Sequence, residues 1–135
     1  MGGVAETMEF LASPLLSGIP GLAHGFGLRM TGPRTAAREA ARKAYLESGE
    51  VFFLKQVHGC TVVRPPWTEP PEADACVAFA SGRVLAIETA DCLPLLIVDP
   101  LKRRVAAAHA GWRGTSSRVA HAAARALIDG GSDPG

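Results

Sequence analysis

The stretch Leu93–His109, which reads LPLLIVDPLKRRVAAAH, decides the fold of this chain of 135 residues. It contains two apolar runs, Leu93–Val98 and Val105–His109, of the length and composition typical of buried strands. Asp99-Pro100 lies between them and predicts a turn. The stretch therefore predicts two strands joined by a turn.

A helix is predicted on the C-terminal side of this stretch. Thr115 or Ser116 can cap its N-terminus, and Gly130-Gly131 ends it. Val119, Ala123 and Leu127 recur every four positions, so they should form one buried face.

On the N-terminal side, several shorter elements are predicted. Ala75–Ala80, Val84–Ile87 and Val51–Val57 have the pattern of strands, and Thr61–Arg64 is extended. The proline-rich residues 65–71 cannot lie inside a sheet and predict a surface loop. Residues 35–48 favour a helix with Thr35 as its N-cap, and residues 10–32 predict one or two strands with turns.

These elements predict an α/β fold of the layered α+β kind, in which a mixed sheet packs against helices. The length suits a single domain over residues 1–135. Because the last predicted helix is followed by nothing that would cover the sheet, we expect the domain to be incomplete at its C-terminus.

Composition excludes several classes of function. The chain has 14 Lys and Arg against 13 Asp and Glu, so its net charge of +1 gives no general attraction to nucleic acid or to a membrane. Its first residues lack the basic region of a secretory signal, and no apolar run is long enough to span a bilayer. We therefore expect a cytoplasmic protein whose three cysteines are reduced thiols or metal ligands.

Three residues follow or end apolar strands, where a rigid scaffold can direct them into one site: His58, Cys92 and His109. Two imidazoles and one thiolate suit zinc, and three protein ligands with an open position are typical of a catalytic zinc. Their spacings of 34 and 17 residues are unlike those of zinc fingers. From residue types alone, hydrogen-bonded histidines and a buried cysteine remain an alternative.

The segments around these residues resemble a known family. They read LKQVHG over residues 54–59, TADCLPLL over 89–96 and AAHAGWRGT over 107–115, with weaker matches at His24-Gly25-Phe26 and Ala73-Asp74-Ala75. The family is that of the laccase-domain proteins, long described as multicopper polyphenol oxidases and now regarded as zinc-dependent purine nucleoside phosphorylases with adenosine deaminase activity. This chain departs from the family pattern in a shorter stretch after Arg29 and in ending well before family members do.

The resemblance implies a laccase-domain-like layered fold, zinc at His58, Cys92 and His109, and a purine nucleoside held beside the metal together with phosphate. For deamination, zinc lowers the pKa of a bound water to about 7, and a carboxylate must move protons. Asp91 is the first candidate for this role and Glu88 the second, with a turn acceptor and a solvated strand end as their structural alternatives.

Phosphorolysis requires a cation for phosphate, and the candidates are Arg113, Arg29 and Lys55. Arg113 precedes a predicted helix N-terminus, which also attracts phosphate. The substrate-binding candidates are His24, Gln56, Trp112 and again Lys55. His24 can instead bond to backbone, Lys55 can face solvent, and Trp112 can be an ordinary core or rim aromatic.

Three other functions remain open. A multicopper oxidase is disfavoured because the chain has only four His and three Met, although a single copper ion could bind. A metal-free cysteine hydrolase would use Cys92 as nucleophile with His109 or His58 as base. The third alternative is an inactive fragment that binds metal without turnover. The preferred nucleoside, the dominant reaction and the oligomeric state are left open by the sequence.

Overall fold

The structure is a computed structural model that describes residues 8–29, 32–90, 92–111 and 116–134. The chain divides between Val51 and Phe52 into two compact units. The single domain over residues 1–135 stays a prediction. Within the described ranges, no helix has the length and apolar character required to cross a membrane.

The first unit contains two short strands and two helices: β1 (Phe10–Leu11), α1 (Pro14–Ser17), β2 (Phe26–Gly27) and α2 (Arg34–Ala44). β1 and β2 lie in the region where one or two strands are predicted, and they pair antiparallel. The N-terminus of α1 is capped by Ser13, whose Oγ accepts the N–H of Leu16. Gly25 comes so close to the hydroxyl of Tyr45 that a side chain would collide with it.

The predicted bounds of α2 are wrong at both ends. The helix begins at Arg34 with Pro33 as its N-cap, so Thr35 already lies in the first turn and is not the cap. It ends at Ala44 rather than Ser48, because the chain folds into a turn in which the N–H groups of Ser48 and Gly49 both bond to the Tyr45 carbonyl. Gly49, with φ of 137°, supplies the backbone conformation that leaves this turn.

β3 (Glu50–Phe52) runs across the division of the chain. The other elements of the second unit are β4 (Val62–Val63), β5 (Ala75–Ala78), β6 (Arg83–Leu85), β7 (Leu93–Asp99), β8 (Arg104–Ala110) and α3 (Ser116–Asp129). Four of the strands form a sheet in the order β4-β5-β8-β7. β4 is parallel to β5 and the other pairs are antiparallel, which confirms the predicted mixed sheet.

The hairpin of β7 and β8 confirms the two strands predicted within Leu93–His109. Its register runs from Leu93 opposite Ala110 to Asp99 opposite Arg104. At the turn, Asp99 Oδ1 accepts the backbone N–H groups of Leu101 and Lys102, both at 3.1 Å. The side chain of Asp99 is therefore the acceptor that organises the predicted turn.

The two faces of this sheet carry different cores. Ala106, Ala108 and Ala110 of β8 face α3, where they pack with the predicted helix stripe of Val119, Ala123 and Leu127. Alternation along the strand turns Ala107 and His109 to the opposite face. Ala107 packs there with Leu54, Ala73 and Cys76. The sheet therefore separates His109 from the helix side.

The predicted strand Val51–Val57 is wrong beyond Phe52. The N–H of Lys55 donates to the carbonyl of Pro71, and the N–H of Val57 donates to the side chain of Asp74, so the chain leaves the strand to reach these acceptors. The proline-rich loop is mostly exposed, as predicted, although Trp67 is half-buried and donates its Nε1–H to the Phe53 carbonyl at 3.0 Å.

Leu54 tests the core opposite α3. Its side chain is 0% exposed, so Leu54→Ala should lower the free energy of unfolding by about 2–5 kcal/mol through lost burial and a cavity. Leu101→Ala is the matched control, because Leu101 is 91% exposed and its truncation should change little. Urea denaturation measures both; equal effects of the two substitutions would contradict the assigned core.

We expect Asp99 to make a pH-dependent contribution to the stability of the fold. The Ser132 hydroxyl, at 2.6 Å, and the N–H of Lys102 hold the pKa of Asp99 below its usual value, against the opposing effect of burial. The ionised carboxylate contributes to the free energy of unfolding at pH values above its ordinary pKa of about 3.9. This contribution is lost as the pH falls through the lowered pKa that Asp99 has in the folded protein. Asp99→Asn should therefore lower Tm at pH 7, and the difference from wild type should shrink on acidification.

The control for this experiment is Leu101→Ala, which leaves the carboxylate in place and should give the same Tm difference at every pH. Thermal denaturation followed by circular dichroism gives the three curves. A gap between wild type and Asp99→Asn that stays constant with pH would show that the charge contributes nothing.

Candidate metal centre

His109 lies near the end of β8, on the face that points away from α3. Its side chain is 6% exposed. The ring Nδ1 lies 2.7 Å from Oδ2 of Asp74, and the backbone N–H of His109 donates to the Asp74 carbonyl at 2.7 Å. Both the ring and the backbone of His109 are therefore fixed by the residue that precedes β5.

His58 lies in a turn that the same carboxylate organises. Its φ is 62°, a left-handed conformation that is uncommon for a residue with a side chain. The N–H groups on either side of it, those of Val57 and Gly59, donate to Asp74 Oδ1 at 2.9 and 3.0 Å. Such a backbone persists only where its surroundings hold it, and these two bonds do so.

Cys92 comes directly before β7 and is half-buried. Its neighbour Leu93 is opposite Ala110 in the hairpin register, which places Cys92 beside the end of β8 that carries His109. Cys60, Cys76 and Cys92 are all free thiols.

The three predicted ligands form one group. One ligand atom each from His58, Cys92 and His109 lies within 4.8 Å of the others, and the two imidazole rings are 5.1 Å apart at their centroids. Tetrahedral zinc, with bonds of about 2.0–2.3 Å, holds its ligand atoms roughly 3.3–3.8 Å apart. Side-chain movements of about 1 Å would therefore bring all three ligand atoms to a single ion.

The chemistry of the donor set also fits zinc. Imidazole nitrogen and thiolate sulfur are among its preferred ligands, and a set of three residues leaves a position for substrate or water. Burial decreases from His109 through Cys92 to His58, which is exposed, so the group is open to solvent on the His58 side. The arrangement is that of a candidate catalytic metal centre.

Asp74 is the residue of this centre that sequence reasoning missed. Its side chain is 0% exposed. Burial raises the pKa of this carboxyl, but the hydrogen bond to His109 and those from nearby backbone N–H groups outweigh burial and lower it. The ionised carboxylate accepts a hydrogen bond from the Nδ1–H of His109, which leaves Nε2 of that ring for a metal.

A signal for Asp74 was present in the sequence. A single carboxylate stands immediately before the apolar run that begins at Ala75, and a charge in that position requires several hydrogen-bond donors if it is buried. Only the tertiary structure identifies those donors, because they come from residues 15, 17 and 35 positions away.

The predicted substrate residues of the second unit have other contacts. Both ends of the Gln56 amide bond to the backbone of Glu88, at 2.6 and 2.8 Å. Lys55 is exposed and forms an ion pair with Glu72 at 3.6 Å. The roles of Gln56, Lys55 and Glu88 toward a substrate stay predictions.

The remaining predicted residues belong to the first unit or fall outside the described residues. His24, in the first unit, accepts the N–H of Ser13 through Nε2 at 2.8 Å, which is the backbone-bonding alternative considered for it. Arg29, also in the first unit, is exposed. Three site candidates and one candidate helix cap fall outside the described residues: Asp91, Trp112, Arg113 and Thr115.

A layered α/β chain with a His, Cys and His group of this kind defines a candidate metalloenzyme. The model of one protein family, described as multi-copper polyphenol oxidoreductase laccase, matches residues 34–135. The chain belongs to this family, which confirms the resemblance drawn from its motifs.

Curated relatives include proteins named purine nucleoside phosphorylase. One from Streptomyces coelicolor is 43% identical over 108 residues, covering 76% of this chain and 45% of the relative. Another, from Deinococcus radiodurans, is 38% identical over 109 residues, covering 78% of this chain and 43% of the relative. The chain thus spans less than half the length of these relatives.

The fold is similar to that of solved structures. A Neisseria meningitidis protein matches with a TM-score of 0.59 and 33% identity, over 70% of this chain and 40% of that one. The protein YlmD of Geobacillus stearothermophilus matches with a TM-score of 0.55 and 28% identity, again over 70% and 40%. The predicted α/β fold class is confirmed.

The three thiols should differ in reactivity. In the metal-free protein, iodoacetamide should label exposed Cys60 and half-buried Cys92 but not Cys76, because burial raises the pKa of Cys76 to about 12. Zinc should protect Cys92 and leave Cys60, the internal control, unchanged. Peptide mass spectrometry measures each rate; equal labelling of Cys92 with and without zinc would contradict the ligand assignment.

Proposed function

We propose that this chain carries the metal site of a zinc-dependent purine nucleoside phosphorylase that also deaminates adenosine. The observation that carries the proposal is the convergence of His58, Cys92 and His109 in one group, in which the carboxylate of Asp74 holds the His109 ring. The names of the curated relatives suggest phosphorolysis and purine nucleosides as substrates. The resemblance drawn from the motifs suggests zinc and the deamination of adenosine. We further propose that the protein acts in the cytoplasm.

In this proposal, His58, Cys92 and His109 hold the ion. When bound, zinc supplies Lewis acidity and activates water near neutral pH. Asp74 holds His109 in the tautomer that presents Nε2, and its bonds to the turn at His58 keep the second imidazole beside the first. The exposed side of the group, at His58, is where a nucleoside would enter.

Cations and a proton carrier complete the proposal. Arg113, Arg29 and Lys55 are the candidates to bind phosphate, and Arg113 is preferred because it comes shortly before α3 in the sequence. Asp91, next to Cys92, is the candidate to move protons during deamination, since a carboxylate must accept one proton and release it to the leaving amine.

A second candidate function has an observation of its own. Asp74, His109 and Cys92 also have the order of an orienting carboxylate, a base and a thiol nucleophile, as in a cysteine hydrolase. That mechanism has no need of His58, whereas the metal site uses all three side chains. Activity that is lost on chelation favours the metal, and activity that survives chelation but is lost on alkylation favours the hydrolase.

The proposed reaction is tested on the purified chain with inosine and adenosine in phosphate buffer. Zinc-loaded protein should release free purine base and ribose 1-phosphate, and it should convert adenosine to inosine, while Cys92→Ala should do neither. Chromatography of the products measures both reactions, and Cys60→Ala is the matched control. Zinc bound at one ion per chain without turnover would reject the enzymatic proposal for this chain.

Asp74→Asn tests how the carboxylate acts on the centre. Asparagine retains the size of the side chain but loses the charge that stabilises the Nδ1–H tautomer of His109, so zinc affinity should fall about 10–100-fold. Glu72→Gln is the control, because Glu72 is an exposed carboxylate that pairs with Lys55. Competition with a chromophoric chelator measures the affinities; unchanged affinity in folded Asp74→Asn would contradict the proposed role.

A further inference from the structure

The side-chain amide of Gln56 makes two hydrogen bonds to the backbone of a single residue, Glu88. Its Nε2–H donates to the carbonyl of Glu88 at 2.6 Å, and its Oε1 accepts the N–H of Glu88 at 2.8 Å. The two residues are 32 positions apart. The amide thus acts toward Glu88 as a neighbouring strand would, supplying one donor and one acceptor.

This contact joins two segments that carry predicted metal ligands. Gln56 lies two residues before His58, and Glu88 lies four residues before Cys92. On its other side, Cys92 is followed by Leu93, which is held opposite Ala110 in the hairpin. The chain is therefore held at Glu88 by Gln56 and from Leu93 onward by the sheet, on the two sides of Cys92.

We propose that Gln56 is a positioning residue that holds Cys92 at the metal centre, rather than a residue that binds substrate. The inference rests on the proposed metal site. Asp74 ties His109 to the turn at His58, and Gln56 ties the segment of His58 to that of Cys92. Between them, the two side chains connect all three ligand segments.

The same contact argues against a substrate role. If the amide turned toward a nucleoside, both of its bonds to Glu88 would break, and the segment before Cys92 would lose its attachment to residues 56–58. A substrate that drew the Gln56 amide away from Glu88 would thus disturb the placement of a ligand in the same site. If Gln56 holds Cys92 in place, removing its side chain should lower the affinity for metal more than the affinity for substrate.

The test uses cobalt(II) as the probe, because the thiolate of Cys92 would give a near-ultraviolet charge-transfer band that imidazole ligands do not give. Gln56→Leu removes the donor and the acceptor together. We expect a weaker charge-transfer band, visible d–d bands of the bound cobalt ion that persist, and a fall in cobalt and zinc affinity of about 10-fold or more. In the metal-free protein, Cys92 should react faster with iodoacetamide while Cys60 keeps its rate.

Two further variants separate positioning from general loss of stability. Gln56→Glu keeps the size and the acceptor but replaces the donor by an oxygen that repels the Glu88 carbonyl, so it should change the band in the same direction without creating a cavity. Ser132→Ala removes a hydrogen bond to Asp99 at the far end of β7, about 20 Å along the strand from Leu93. It should lower Tm and leave the band and the affinities unchanged.

The outcomes distinguish this inference from the proposed function. Wild-type intensity of the band and unchanged metal affinity in both Gln56 variants, with a raised KM for inosine, would overturn the inference and restore Gln56 as a substrate residue. A wild-type protein with no thiolate band would overturn the metal site itself, and the inference with it.

Discussion

The buried carboxylate of Asp74 is the interaction on which the centre depends. A charge removed from water must be matched by donors, and Asp74 is matched by the His109 ring and by the N–H groups that flank His58. These bonds oppose the effect of burial strongly enough that the pKa of the carboxyl is lowered. The need to satisfy the buried charge thus fixes two imidazoles in relation to each other.

The sheet places this carboxylate and its partners. Asp74 comes directly before β5, and its carbonyl accepts the N–H of His109 near the end of β8, so the antiparallel pairing of these strands continues to the site. Small alanines on one face of β8 admit α3, and the alternation of the strand sends His109 to the other face. The alternation of residues along β8 therefore determines both the packing of α3 and the face of the sheet on which His109 lies.

Much of this could be predicted from sequence, and the limits have physical reasons. The strands around Asp99-Pro100, the stripe of α3 and the three candidate ligands followed from periodicity, turn residues and donor chemistry. The prediction that the strand continues beyond Phe52 was wrong because the N–H of Val57 bonds to a side chain far along the sequence. The prediction of Thr35 as N-cap was wrong because the helix starts one residue earlier. The contacts of Asp74 and Gln56 were missed because hydrogen bonds between distant segments leave no local pattern.

The most direct test of the central claim is X-ray absorption spectroscopy at the zinc edge of the zinc-loaded chain. The account predicts one sulfur scatterer at about 2.3 Å and two imidazole nitrogens at about 2.0–2.1 Å, with the sulfur lost in Cys92→Ala. A first shell with no sulfur, or one that Cys92→Ala leaves unchanged, would show that His58, Cys92 and His109 do not together bind the ion.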